Sequence, residues 1–298
     1  MKPLMHRDTM EPYDVGQIGH IDGVDHNESI SVGPQGEAYT TGFYTFRVFR
    51  LNLDTNKGEA FASTAPRCVL GQVVDANGNL YCAECGGFGS QVVRITPEGT
   101  RTVYSQGPRT RGFMSANTPA FDRYGSMYIS DTGTWSKKID GRIYKIPPGG
   151  GDAQDWFPYP VDTPNGIAID PEEEFIYFVE TWGNSIARIA INRDGTAGVF
   201  DRVLHMPRHV PDGIAFDEAG RVWIACHRPD TIYVFDVNTR RLELFAEDCQ
   251  GEALRGPCHV AFAGPNREVL LASSLDKATV HRFDRPGVRG LRLNNPKL

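Results

Sequence analysis

One phrase recurs six times along the chain, and it limits what the chain can become. Its clearest copy, residues 210–225, reads VPDGIAFDEAGRVWIA: a short apolar run, a turn and a second apolar run. The other copies read SISVGPQGEAYTT, LGQVVDANGNLYCA, NTPAFDRYGSMYIS, NGIAIDPEEEFIYFVE and CHVAFAGPNREVLLAS. Each passes into a third run, such as FRVFRL, RIYKI or VHRFD. Short runs rich in β-branched and aromatic residues, bounded by Gly, Pro, Asn and Asp, read as strands. Units of about 45 residues with three or four antiparallel strands each predict an all-β six-bladed β-propeller. Even spacing over the whole length argues against two stacked sandwiches. Residues 1–298 read as one propeller domain, with 1–20 as an N-terminal segment placed to close the last blade.

Propeller blades stand radially about a channel, so a position repeated in every copy becomes a ring. The position five residues before Asp217 gives Glu28, Leu70, Asn117, Asn165, Asp212 and Cys258, at intervals of 42, 47, 48, 47 and 46 residues. Four of these six carry side-chain oxygens, and Glu28 and Asp212 are acids. Burying a carboxylate without compensation is costly, and two that face each other are worse. A divalent cation resolves this, with two carboxylates and two amides forming a hard oxygen shell. Calcium suits it best; magnesium or manganese would take a tighter version, and zinc would more often recruit His or Cys. An Asx turn accounts for any one Asn or Asp at a strand start, but Glu28 is too long for one.

A second column, at the end of the following strand, holds Gly42, Glu84, Asp131, Glu180, Cys226 and Ser273. Antiparallel pairing puts it on the same rim as the ring. Asp131 and Glu180 are therefore candidates for binding substrate hydroxyls, the alternative being acids in solvated loops.

Charge excludes some functions. The chain carries 31 Lys and Arg against 37 Asp and Glu, a net charge of −6, with no basic run to neutralise phosphates. No apolar run approaches the ~20 residues that span a bilayer, and the N-terminus lacks an apolar signal core. The expectation is a cytoplasmic protein with no nucleic-acid or membrane partner. Its six cysteines then read as free thiols. Cys82 and Cys85 form a lone Cys-x-x-Cys without the second pair of a zinc site or the βαβ context of a redox motif. No Gly-x-Ser-x-Gly elbow or Walker loop is present.

The phrases PNGIAID with IYFVET, PDGIAFDEAGRVWIA and VAFAGPNREVLLASS resemble the senescence-marker-protein/gluconolactonase family of six-bladed propellers, which includes the regucalcin-type lactonases. The resemblance runs from about Glu28 to Leu291. It implies one divalent metal in the channel, held by Glu28, Asn165 and Asp212, with Asn117 near metal or substrate. The chain departs from the family at Ser29-Ile30, where Gly-Pro is usual, at Leu70-Gly71-Gln72, at Gly42, and at His259. These departures fall on the substrate side.

The chemistry expected is opening of a small lactone, such as a sugar-acid lactone, by water activated at the metal. Asp212 is the catalytic candidate, as general base or water-orienting group, and Asn117 could hold substrate or the developing oxyanion. His259 is a further substrate-binding candidate, His227 reads as a loop histidine, and Trp135 and Trp182 could wall the pocket. Two alternatives remain: phosphotriester hydrolysis on the same ring, as in propellers resembling diisopropyl-fluorophosphatase, and a non-catalytic binding propeller with structural calcium.

Overall fold

A computed structural model describes residues 11–298 apart from 87, 88 and 137. It contains six four-stranded antiparallel sheets. Their innermost strands are Ile30–Val32, Cys68–Val74, Ala116–Phe121, Pro164–Ile169, Val210–Phe216 and Pro257–Ala263. Each inner strand packs against those of the two neighbouring blades, and the first meets the last, so the circle closes. The chain is a six-bladed β-propeller. The last blade takes its outer strand, Gly19–Ile21, from the N-terminal side, paired antiparallel with Val280–Asp284. Of the N-terminal segment 1–20, residues 1–10 lie outside the described residues.

The core is divided as the repeats are. Six apolar clusters fill the six interfaces between blades, one each. In one, Tyr177, Val179 and Ile186 of the fourth blade meet Ile214, Phe216 and Val222 of the fifth. Each such side chain contributes about 1.5–3 kcal/mol when fully buried. Strands flanked by sheet on both faces need apolar residues on both, which is why the inner and second strands read as near-continuous apolar runs.

The turn inside four of the six phrases has its own device. Asp75, Asp122, Asp170 and Asp217 each accept two backbone N–H bonds from the turn that follows. Asp217 also accepts from Arg221 Nε at 2.8 Å and from the buried Trp223 Nε1 at 3.0 Å. These acids sit at one end of the inner strands, opposite the ring. The C-terminal segment crosses that end. Leu291 N donates to Phe216 O, Asn294 Nδ2 to Phe121 O, and Asn295 Nδ2 to Val74 O. No helix among the described residues is long and apolar enough to cross a membrane.

Candidate metal centre

The ring lies at the mouth of the channel, and local backbone geometry aims its side chains. Pairing of the inner strand with its neighbour shifts register between Ala116 and Pro119, Pro164 and Ile167, Pro211 and Ile214, and Pro257 and Val260. These irregularities enclose Asn117, Asn165, Asp212 and Cys258. A bulge breaks the alternation of the strand and re-aims a side chain, here toward the axis.

The glycines after Asn165 and Asp212 have a defined purpose. A Cβ on Gly166 would meet Asp212 O at 2.6 Å and Gly213 Cα at 2.5 Å. One on Gly213 would meet Cys258 O and His259 Cα, both at 2.6 Å. Without side chains there, adjacent inner strands approach closely and draw the ring residues together. The Asn-Gly and Asp-Gly phrases thus pair a donor with the glycine that lets the next blade come near. Two serines near the ends of the second strands, one of them in the second column, knit the same backbones. Ser130 Oγ donates to Asn165 O at 2.6 Å, and Ser273 Oγ to Glu28 O at 2.8 Å.

Asn117, Asn165 and Asp212 are buried, each 3% exposed, and Glu28 is half-buried at the mouth. Burial, then the Asp212 charge, then Cys68, push the Glu28 carboxyl well above the usual carboxylate range. The Asn165 amide makes no side-chain hydrogen bond among the described residues, and Asn117 Oδ1 accepts only from Thr118 Oγ1, at 2.9 Å. Among the described residues no Lys or Arg pairs with Glu28 or Asp212. The donor set is therefore acids and amides with no Lys or Arg paired to them, which fits a hard divalent cation. No three His, Cys, Asp or Glu cluster as metal ligands among the described residues, because two of the four ring donors are amides.

Asp212 has one basic neighbour, His227, which the sequence alone reads only as a loop histidine. His227 Nδ1 lies 3.1 Å from Asp212 Oδ2, an ion-pair contact rather than an aligned hydrogen bond. Burial opposes its protonation, but Asp212 outweighs burial and lifts His227 above the ordinary imidazole value. Its reading as a loop histidine is corrected. The signal was its place one residue beyond the second column, on the ring's rim.

The Asp131 and Glu180 carboxylates, expected to bind substrate hydroxyls, are taken up by protein partners in the structure. Glu180 is fully buried and accepts from Arg202 Nη2 at 3.0 Å and Ser185 Oγ at 2.7 Å. Asp131 accepts backbone N–H bonds from Met114, Ser115 and Gly133. Glu84 likewise pairs with Arg101 and Gln91. A buried carboxylate needs such partners, and here they brace the rim loops. His259 lies beneath the ring, lining an axial cavity of about 320 Å³ with Ile167, Ile214 and Val260. Burial lowers it to about 4 against the pull of Asp212, so near pH 7 it is a neutral imidazole with one ring N–H. Trp135 and Trp182 form a tilted pair on the rim, ring centroids 5.6 Å apart, 54% and 37% exposed.

The fold and its ring of oxygen donors define a six-bladed propeller with an axial site at one mouth. Residues 28–275 match the SMP-30/gluconolactonase/LRE-like region, and the chain belongs to that family. Among curated relatives, a pentonolactonase from Haloferax volcanii is 28% identical over 117 residues, covering 38% of each chain. The lactonase drp35 of Staphylococcus haemolyticus is 24% identical over 209 residues, 64% of this chain and 60% of that one. The chain thus spans less than two thirds of either relative. Among solved structures, a calcium-binding regucalcin from Agrobacterium tumefaciens superposes with a TM-score of 0.77 at 17% identity, covering 97% of this chain and 99% of that one. A gluconolactonase from Xanthomonas campestris gives 0.74 at 19% identity, covering 89% and 88%.

Proposed function

We propose that the chain is a metal-dependent lactonase whose cation is held by Glu28, Asn117, Asn165 and Asp212. The observation that carries this reading is the pair Glu28 and Asp212, brought into one channel with two amides and no Lys or Arg between them. The relatives named as lactonases support the reaction, and the calcium-binding neighbour supports the metal. When bound, the cation polarises the lactone carbonyl and acidifies water.

The chain's own residues do the rest. Asp212 keeps Oδ2 against His227, and its other oxygen accepts no hydrogen bond among the described residues, which suits a group that accepts a proton from water. His227 balances its charge. The Asn117 amide nitrogen is free of protein acceptors among the described residues, which suits a donor to the developing oxyanion. Ser130 and Ser273, through the backbone of Asn165 and Glu28, keep the ring from relaxing.

The test is lactone hydrolysis by chelator-stripped protein, with Ca, Mg, Mn or Zn restored. The expected result is turnover that requires a divalent cation and is lost in Asp212→Asn. Metal binding with no turnover on any lactone would leave a binding propeller with structural calcium. One observation favours a second substrate class. With the rim acids bound to protein and Trp135 and Trp182 exposed, the mouth is more aromatic than acidic. Lactones with apolar substituents, or phosphotriesters, then compete with sugar lactones and belong in the same assay.

A further inference from the structure

The Cys-x-x-Cys of the sequence is not the pair that meets. Cys82 and Cys85 lie three residues apart on one strand, so their side chains leave opposite faces. Cys82 is fully buried against the core between the first two blades. Cys85 instead faces Cys68, its direct partner across two antiparallel strands, Cys68–Val74 and Leu80–Cys85. Their sulfurs are 2.8 Å apart, and Cys68 Sγ also donates to Cys85 O at 3.4 Å. Residues directly opposite on antiparallel strands have Cα atoms about 4.5–5.5 Å apart, within the span that a disulfide bridges without backbone movement. Both thiols are half-buried and open to solvent, whereas Cys82, Cys226 and Cys258 are buried.

We infer that Cys68 and Cys85 form a peroxide-oxidisable dithiol, a reversible disulfide site at the mouth of the channel beside Glu28. The roles are unequal. Bonding to Cys85 brings the Cys68 thiol down to about 7, while Cys85, which keeps its proton for Cys68, is pushed up. Cys68 is thus the attacking sulfur and Cys85 the resolving one. The Cys68 thiolate attacks one oxygen of a hydroperoxide. The O–O bond breaks, the alcohol or water leaves with a proton, and Cys68 becomes a sulfenic acid. Cys85 then attacks Cys68 Sγ, the S–O bond breaks, water leaves, and the S–S bond forms. Two thiols are oxidised, and one peroxide is reduced to an alcohol and water.

The position gives the bond a consequence. Cys68 and Cys85 both lie near enough to Glu28 to share its electrostatics. Just beyond Cys85, Ser90 Oγ accepts from Ala116 N, the residue before Asn117. A disulfide here ties the entry of the inner strand to the exit of its neighbour, between two ring positions. The site stands on the two sulfurs alone, whether or not the ring holds metal.

The experiment uses the full chain with the exposed Cys249 changed to Ser, reduced and then treated with stoichiometric hydrogen peroxide. Acid-quenched, non-reducing peptide mapping should show one Cys68–Cys85 link, reversed by dithiothreitol. It should form at least ~10-fold faster than any oxidation of Cys226 or Cys258, as exposure and thiolate character dictate. In Cys85→Ser, dimedone should instead trap Cys68 as the sulfenic acid, which tests the roles without requiring the disulfide. A link through Cys82, or Cys68 unmodified in both folded proteins after peroxide treatment, would overturn the inference.

Discussion

Asp212 and Asp217 lie five residues apart on or beside one strand, both nearly or fully buried, and they live in opposite circumstances. Asp217 is fully satisfied by protein: two turn N–H groups, Arg221 and Trp223. Asp212 faces another acid, two amides and a single histidine. The far end of the inner strands spends its acids on structure. At the ring, Glu28 and Asp212 have no Lys or Arg partner among the described residues, and that is the ground for the proposed site. Burial alone separates nothing, since Glu84, Asp131 and Glu180 are as buried as the ring yet fully engaged.

The sharpest way to break this contrast is to remove the carboxylate at each end. Asp212→Asn should lower lactone turnover by about 10²–10⁴-fold, the range for a lost general base, with urea unfolding of the metal-free chain no worse than wild type. Asp217→Ala should cost about 3–5 kcal/mol in urea, as breaking a buried pair does, without a specific effect on turnover per folded molecule. Equal stability losses at both positions would erase the distinction.

Gly166→Ala comes next. Its Cβ meets backbone, which cannot swing aside, so a loss of about 1–3 kcal/mol is expected from overpacking. Calcium affinity, read by thermal shift, should fall with it. An unchanged affinity would mean that close strand approach does not assemble the ring.

The smallest effect concerns pH. The folded Glu28 value is raised, so the folded chain binds more protons than the unfolded chain. Metal-free stability should therefore fall as pH rises from about 4.5 toward the raised value, where the penalty is complete. His227, also raised, adds stability present below about 6.5 and lost as pH climbs through its folded value. Glu28→Gln should flatten the lower part of this slope. Melting curves from pH 4.5 to 8 in chelator would show it, and a slope unaltered by Glu28→Gln would remove Glu28 as its source.

The blades were legible because they repeat. A constant offset of five residues before the turn, from Asp122, Asp170 and Asp217 and from Gly33 in the first blade, picks out Asn117, Asn165, Asp212 and Glu28 without any contact being known. What the sequence hid was pairing across the repeat. Arg101 and Arg202 reach Glu84 and Glu180 from the outer strand of their blades, 17 and 22 residues away, and a period of about 45 does not encode this. Asp131 is satisfied by loop N–H groups, which no side-chain pattern reports. Cys82 and Cys85 drew attention by their spacing, while strand alternation turned them apart and register joined Cys85 to Cys68.

The outer strand of the last blade comes from Gly19–Ile21, and nearby Asn27 takes an N–H···O bond to Ser274 O. The circle is therefore a clasp, joined where the early and late parts of the chain meet. Contacts so distant in sequence form late and slowly in folding. Glu28 stands beside that clasp and Asp212 lies across the channel in the fifth blade, so both reach one ligand only after the clasp has shut. A cation held between them, as proposed, would bind the closed circle and not the open chain, and so would draw the folding equilibrium toward closure by mass action. Metal affinity would then also be a gauge of how firmly the propeller is fastened.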